Sequence, residues 1–265
     1  MIQTITTSRG QFSVNDSGTG LPLVLLHGFP LDHTMWEHQI SRFSTSHRVI
    51  AVDLRGFGQS PPRNATVDMV DYADDVAAIL KKLGLEQVVL CGLSMGGYIA
   101  FAFQERHRNL LKGLILCDTR AVADVPEAAK ARRVTAERVL KEGTSFLADT
   151  MLPKLFAEKT ALTQPEMVDQ TRRVIETASR AGVAAAARGM AQRKDYSNEL
   201  AGIDVPTLLL VGETDAISPV EEMTSIAHRM PQAELRVIPN AGHMAPLENP
   251  AAVNGAIEEF LNTLG

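Results

Sequence analysis

The chain has 265 residues, 45% apolar and 22% charged, enough for one large α/β domain with an insertion or for two smaller domains, with a core that needs no disulfides. Lys and Arg number 26 against 31 Asp and Glu, a formal net charge of −5, so there is no broad basic surface to hold phosphate backbones and no nucleic-acid partner is expected. No run approaches the ~18 apolar residues a membrane span needs, and the first ten residues lack the regions of a signal peptide.

Ile2 to Thr7 and Phe12 to Asp16 alternate around Ser8-Arg9-Gly10 and read as an antiparallel hairpin at a sheet edge. Leu23 to Leu26, Val49 to Val52, Val88 to Cys91 and Leu114 to Cys117 are continuous apolar runs, the pattern of strands covered on both faces. Between them, Met69 to Leu83 carries apolar residues at helical spacing and stops at Gly84, a good C-cap. The alternation implies βαβ units and a mostly parallel sheet. Cys91 and Cys117 each end a strand run and are read as core thiols in a reducing compartment, which predicts a cytoplasmic protein.

From Thr119 to Glu199 strand-like runs vanish and Ala, Arg, Lys and Glu accumulate, predicting a helical insertion in which the run Ala184 to Ala187 is simply helix. Strands return at Thr207 to Val211 and Leu235 to Ile238, followed by a last helix over Ala251 to Leu261. The expected division is a core of residues 1–118 and 200–265 with a helical cap at 119–199 inserted after the sixth strand.

Residues Val88 to Tyr98 read VVLCGLSMGGY, a strand running into a GxSxG turn and then an apolar helix. That context is what a nucleophile elbow demands: glycines on either side let the chain turn sharply enough to lift Ser94 above the sheet. Chance GxSxG matches in this length number only about 0.1, before the flanks are required.

A serine is a weak nucleophile unless a base takes its proton and a carboxylate orients that base. Of seven histidines, His243 follows a late strand in the glycine-bearing loop Pro239 to Met244, from which the imidazole can reach back over the sheet. His33, His38, His47, His107 and His228 read as surface or satisfied core residues. Asp215 follows the strand ending at Val211, at the carboxyl edge where open α/β sheets carry their sites. Glu213 and Asp118 compete for the acid; Asp215 is favoured because it lies on a loop beyond its strand. Two N–H donors must face the oxyanion, and Met95 at the helix start is one. The other falls in the turn His27-Gly28-Phe29-Pro30, where Pro30 has no N–H and Phe29 is the simplest donor; His27 is expected to pin the loop.

Together HGFP at His27 to Pro30, DLRGFGQS at Asp53 to Ser60, GLSMGG at Gly92 to Gly97, the aspartate of GETD and the GH at Gly242 to His243 resemble the α/β-hydrolase superfamily over essentially the whole chain. The nearest resemblance is to small bacterial carboxylesterases, 3-oxoadipate enol-lactonases, cofactor-free haloperoxidase-like perhydrolases and acyl-homoserine lactonases. Serine at the elbow sets the chain apart from haloalkane dehalogenases and epoxide hydrolases of that fold, which carry aspartate there. Asp53 to Gly58 fails as a dinucleotide fingerprint at its third glycine, where Pro61 stands, and no HExxH, paired CxxC or EF-hand loop occurs, so neither cofactor nor metal is expected.

The resemblance implies a serine carboxylic-ester hydrolase with Ser94, Asp215 and His243 as its triad and Phe29 and Met95 as oxyanion donors. A lactonase is the close alternative, perhydrolysis a side activity, and a ligand receptor on the same fold the reading from another class. The pocket is expected to be apolar, lined by Leu152, Leu155, Phe156, Met190, Ile217 and Met244, and suited to neutral short- to medium-chain esters or lactones. The pairs Arg132-Arg133 and Arg172-Arg173 read as solvated helix faces, with Arg120 and Arg188 as the arginines that could turn inward.

Overall fold

The computed structural model describes residues 1–63 and 65–265. Eight strands form one sheet in the order β1-β2-β4-β3-β5-β6-β7-β8. The predicted hairpin is β1 (Ile2–Thr7) against β2 (Gly10–Ser17), and β2 lies antiparallel to β4 (Arg48–Val52). All remaining pairs are parallel: β4 with β3 (Pro22–Leu26), then β5 (Val88–Leu93), β6 (Leu111–Cys117), β7 (Thr207–Gly212) and β8 (Ala233–Ile238). The runs read as doubly covered strands are so: Leu23 to Leu26 and Val88 to Cys91 have essentially no exposed surface. The edge strand β8 instead alternates, with only Ile238 fully buried.

Helices flank the sheet. α1 (Glu37–Phe43) packs on α11 (Pro250–Thr263), and α2 (Met69–Lys82) on α3 (Met95–His107). α2 ends as its glycine predicts: Gly84 adopts φ +69°, its N–H bonds Lys81 O at 3.2 Å, and Leu85 N–H bonds Leu80 O at 3.0 Å, the paired bonds of a Schellman turn. The amphipathic α9 (Val220–Arg229), between β7 and β8, and α1 went unpredicted.

Between β6 and β7 the chain forms α4 (Pro126–Glu142), α5 (Ser145–Leu155), α6 (Glu158–Thr163), α7 (Pro165–Thr177) and α8 (Arg180–Met190). The alanine run does more than continue a helix. Ala184 and Ala187 on α8 and Ala136 on α4 are buried together against Phe29 of the HGFP turn, and such small side chains let the two helices lie close to each other. α8 is seated by glycines: a Cβ at Gly182 would lie 1.9 Å from Gly56 O, and one at Gly189 1.9 Å from Val67 O. No helix among the described residues is long and apolar enough to cross a membrane.

Candidate active site

The carboxyl ends of β5 to β8, neighbours in the sheet, bring Ser94, Asp118, Asp215 and His243 to one edge. Ser94 joins β5 to α3 with φ +54° and ψ −109°, a conformation side chains rarely adopt and that costs of order 1–3 kcal/mol. The flanking glycines are what make the turn fit. A Cβ at Gly92 would stand 2.3 Å from Gly96 O, and one at Gly96 would stand 2.3 Å from Leu26 O at the end of β3. Ser94 N–H bonds Cys117 O at 2.9 Å and Thr119 Oγ1 donates to Ser94 O at 2.8 Å, tying the elbow to the end of β6.

Met95 opens α3, so its N–H is one of the first-turn amides with no intrahelical acceptor. The HGFP turn lies against the elbow, since a Cβ at Gly28 would be 2.8 Å from Leu93 Cδ2 and 3.6 Å from Ser94 Cβ. His27 pins this turn, as expected. It is buried, and burial lowers its pKa, so the ring is neutral; Nε2 accepts Leu54 N–H at 3.1 Å, which leaves Nδ1–H to donate to Gly28 O at 2.8 Å.

The loops after β7 and β8 are joined directly. A Cβ at Gly212 would be 1.9 Å from Gly242 O, Thr214 N–H bonds Ala241 O at 2.9 Å, and Glu213 accepts Asn240 N–H at 2.9 Å. Glu213 thus braces the histidine loop from outside, whereas Asp215 faces the imidazole: His243 Nδ1 and Asp215 Oδ2 are 2.8 Å apart, and both residues are buried. Asp215 Oδ1 accepts the N–H groups of Ile217 at 2.7 Å and Ser218 at 3.0 Å. These three bonds orient the carboxylate and hold the histidine in one tautomer, Nδ1–H toward Asp215.

Asp118, the competing candidate for the acid, is not remote. It is fully buried with φ +47°, and its Oδ1 accepts Gly212 N–H at 2.7 Å. Its carboxyl, that of Asp215 and a ring nitrogen of His243 lie within 4.8 Å of one another. Two carboxylates at that separation repel by about 3 kcal/mol at an effective dielectric near 20. Burial, with the Asp215 charge beside it, pushes the Asp118 carboxyl well above the ordinary range.

A second acid, Glu248, escaped the sequence reading. The four-residue α10 (Ala245–Glu248) carries it back to the histidine loop, where Oε1 accepts Gly242 N–H and Oε2 accepts Ala157 N–H, each at 2.8 Å. Burial pushes its carboxyl up against the pull of these bonds. Since Met244 N–H also bonds Leu155 O at 3.1 Å, the end of α5 is stitched to the loop that bears His243. The signal was there only as an acid five residues beyond the histidine, and no local pattern says that it turns inward.

Of the residues expected to line the pocket, Leu152, Leu155, Phe156, Met190 and Met244 are buried and Ile217 is half-buried. Met244 borders a cavity of about 190 Å³ between α7 and the core, with Leu31, Met35, Met167 and Leu247. Met190 points elsewhere, its sulfur accepting from Arg132 at 3.5 Å. Arg132 is therefore no solvated face residue; Asp124 draws its guanidinium inward at 2.5 Å. Asp124 also pairs with the buried Arg193 at 2.6 Å, and Arg120 is held by Glu222 at 2.6 Å. Arg172 stays outside, paired with Asp149.

A further His–Asp pair lies under the HGFP turn, where His33 Nδ1 donates to Asp53 Oδ1 at 2.7 Å and Asp53 Oδ2 accepts Gln59 N–H at 3.0 Å. This pair, with Asp32, and the group of Asp118, Asp215 and His243 are the two sets of metal-ligand atoms brought close among the described residues. In each the histidine and an aspartate bond each other directly, which suits a hydrogen-bonded dyad rather than a cation cage.

Residues 22–250 match the family model for the alpha/beta hydrolase fold. The chain belongs to that family. Among solved structures, this hydrolase is similar to a thermophilic esterase from Thermogutta terrifontis determined with malate bound, with 48% identity, 100% of this chain and 99% of that chain covered, and a TM-score of 0.96. It is 35% identical over 260 residues to the AB hydrolase superfamily protein YisY of Bacillus subtilis, covering 94% and 95% of the two chains. It is 28% identical over 243 residues to 3-oxoadipate enol-lactonase 2 of Acinetobacter baylyi, covering 90% and 88%. The hydrolase is an enzyme with esterases, enol-lactonases and haloperoxidases among its relatives.

Proposed function

We propose that this hydrolase cleaves carboxylic esters by serine acyl transfer. The observation that carries the reading is the buried 2.8 Å bond between His243 Nδ1 and Asp215 Oδ2 at the sheet edge where Ser94 sits strained at φ +54°. Ser94 Oγ attacks the ester carbonyl while His243 Nε2 takes its proton, and the imidazolium so formed is stabilised by Asp215. Phe29 and Met95 N–H groups receive the negative oxygen of the tetrahedral intermediate. On collapse the C–O bond to the alcohol breaks and His243 returns the proton to the leaving oxygen. Water, deprotonated by His243, then attacks the acyl carbon; the acid leaves and Ser94 regains its proton. Hydrogen peroxide in place of that water would yield a peroxy acid, which makes perhydrolysis a side activity.

The substrate we infer is a small neutral ester or lactone. What supports it is that Arg120, Arg132 and Arg193 are each already paired with an acid, and that the apolar segment Leu155 to Ala157 runs along the histidine loop, which itself carries the buried Met244. A lactone is an internal ester and the same chemistry opens it, so the enol-lactonase relative favours it as the second reading. We place it in the cytoplasm, the compartment expected for a chain whose two cysteines, Cys91 and Cys117, are both buried in core strands. The test compares kcat/KM for p-nitrophenyl acetate and butyrate, an acyl-homoserine lactone and a carboxylated enol-lactone. Turnover of the uncharged compounds, abolished in Ser94→Ala, is expected; a preference of roughly 10²-fold for the carboxylated compound would overturn the neutral-substrate reading.

A further inference from the structure

The buried carboxyl of Asp118 has no part in the mechanism above. Its Oδ1 is satisfied by Gly212 N–H, but Oδ2 is fully enclosed and no donor among the described residues reaches it. An ionised Asp118 would therefore bury an oxygen without a partner, in a carboxylate that lies within 4.8 Å of the Asp215 carboxyl. Asp215 offers the complement. Its two oxygens have about four acceptor positions, and three are taken by Ile217 N–H, Ser218 N–H and His243 Nδ1–H.

We infer that Asp118 is a neutral carboxylic acid whose Oδ2–H donates to the last free acceptor position of Asp215, making it a positioning residue for the acid of the triad. The pair holds one proton and one negative charge, and that proton stays on Asp118 throughout turnover. Its part is to fix the Asp215 carboxylate and to spread its charge, so that His243 gains a partner of set strength. Other titratable groups near it are the Cys117 thiol on its own strand and, 3.9 Å from that sulfur, Cys91 on β5. Around Asp118 the backbone is anchored as well. Its N–H bonds Leu210 O at 2.8 Å, and Ser218 Oγ donates to its carbonyl at 3.2 Å. Burial and the Asp215 charge act in the same direction, raising the Asp118 carboxyl.

The inference rests on the proposed triad for its catalytic consequence, but its first test does not need activity. Infrared spectra of the intact protein at pH 7.5, made with and without ¹³C at the aspartate side-chain carboxyls, should show a protonated carboxyl C=O band that moves with the label. Labelling aspartate alone keeps the band apart from any from Glu248. Its absence would mean that every aspartate is ionised and would overturn the proposal, whatever the triad does. The second test uses two variants. Asp118→Asn keeps an acceptor for Gly212 and a neutral donor for Asp215, and asparagine tolerates the positive φ, so kcat/KM should stay within about twofold with the acidic limb of its pH profile unmoved. Asp118→Ala removes the donor; kcat should fall about tenfold at unchanged KM, with the limb displaced to higher pH because the Asp215 charge is no longer shared. A limb displaced to lower pH in Asp118→Asn is what loss of a second negative charge produces, and would refute the neutral acid.

Discussion

Asp215→Asn separates orientation from charge at the candidate site. Asp215 Oδ1 accepts two backbone N–H groups, from Ile217 and Ser218, so in the variant the amide oxygen must occupy that position and the NH₂ group must take the place of Oδ2. An N–H donor then faces His243 Nδ1, now 2.8 Å from an acceptor. The imidazole answers by carrying its proton on Nε2, the nitrogen that has to accept from Ser94. The backbone bonds from Ile217 and Ser218 are kept while the base is held in the wrong tautomer, a change that in serine proteases lowers kcat by about 10⁴, or about 5.4 kcal/mol of transition-state stabilisation. Initial rates on p-nitrophenyl butyrate at saturating substrate measure kcat, and a thermal melt checks the fold. A well-folded Asp215→Asn enzyme retaining more than a tenth of the parent kcat would refute the assignment of the acid.

Glu248→Ala strands the buried N–H groups of Gly242 and Ala157 at about 1–3 kcal/mol each, so calorimetry should show Tm lowered by about 5–15 °C, with kcat reduced because Gly242 precedes His243; a drop under 2 °C would contradict the role given to Glu248. Gly182→Ala drives a Cβ to 1.9 Å from Gly56 O and should cost about 1–3 kcal/mol in denaturant melts, whereas Gly255→Ala meets no atom within 4 Å inside α11 and should gain up to about 1 kcal/mol. The opposite ranking would show that α8 is not seated on that loop. The bond to Asp53 raises the His33 pKa, so this pair's stabilisation is complete below the imidazole's unfolded value near 6.5 and is lost as pH rises through the raised folded value. Unfolding midpoints measured from pH 6 to 9 should fall across that window, and more steeply than in His33→Gln.

The elements most legible from sequence were those whose burial is complete. Leu23 to Leu26 and Val88 to Cys91 are apolar at every position because both faces are covered, and such a run has few alternatives. The amphipathic α9 was harder to see, since its buried positions, Met223 and Ile226, are few and the rest of its surface faces water. The elbow could be read because its glycines answer a local steric demand: Gly92 and Gly96 meet backbone at 2.3 Å, and no other residue fits. His243 and Asp215 were readable from their places at strand ends. The parts that escaped depend on long-range contacts. Glu248 matters through Ala157, 91 positions away, and Asp118 through Gly212 at the end of β7, 94 positions away, where strand order rather than chain order makes them neighbours. Arg132 was misread because its partner Asp124 precedes α4, so that spacing within the helix says nothing of it.

Ester cleavage by Ser94 must pass through a covalent acyl-enzyme, which rapid mixing with p-nitrophenyl acetate followed by acid quench and intact-mass measurement detects. One equivalent of p-nitrophenol released in a burst, with an acetyl adduct mapped by peptide sequencing to Ser94 and absent from Ser94→Ala, is the predicted result. Steady turnover of the ester with no adduct under conditions that slow deacylation, or undiminished turnover in Ser94→Ala, would rule out Ser94 as the nucleophile.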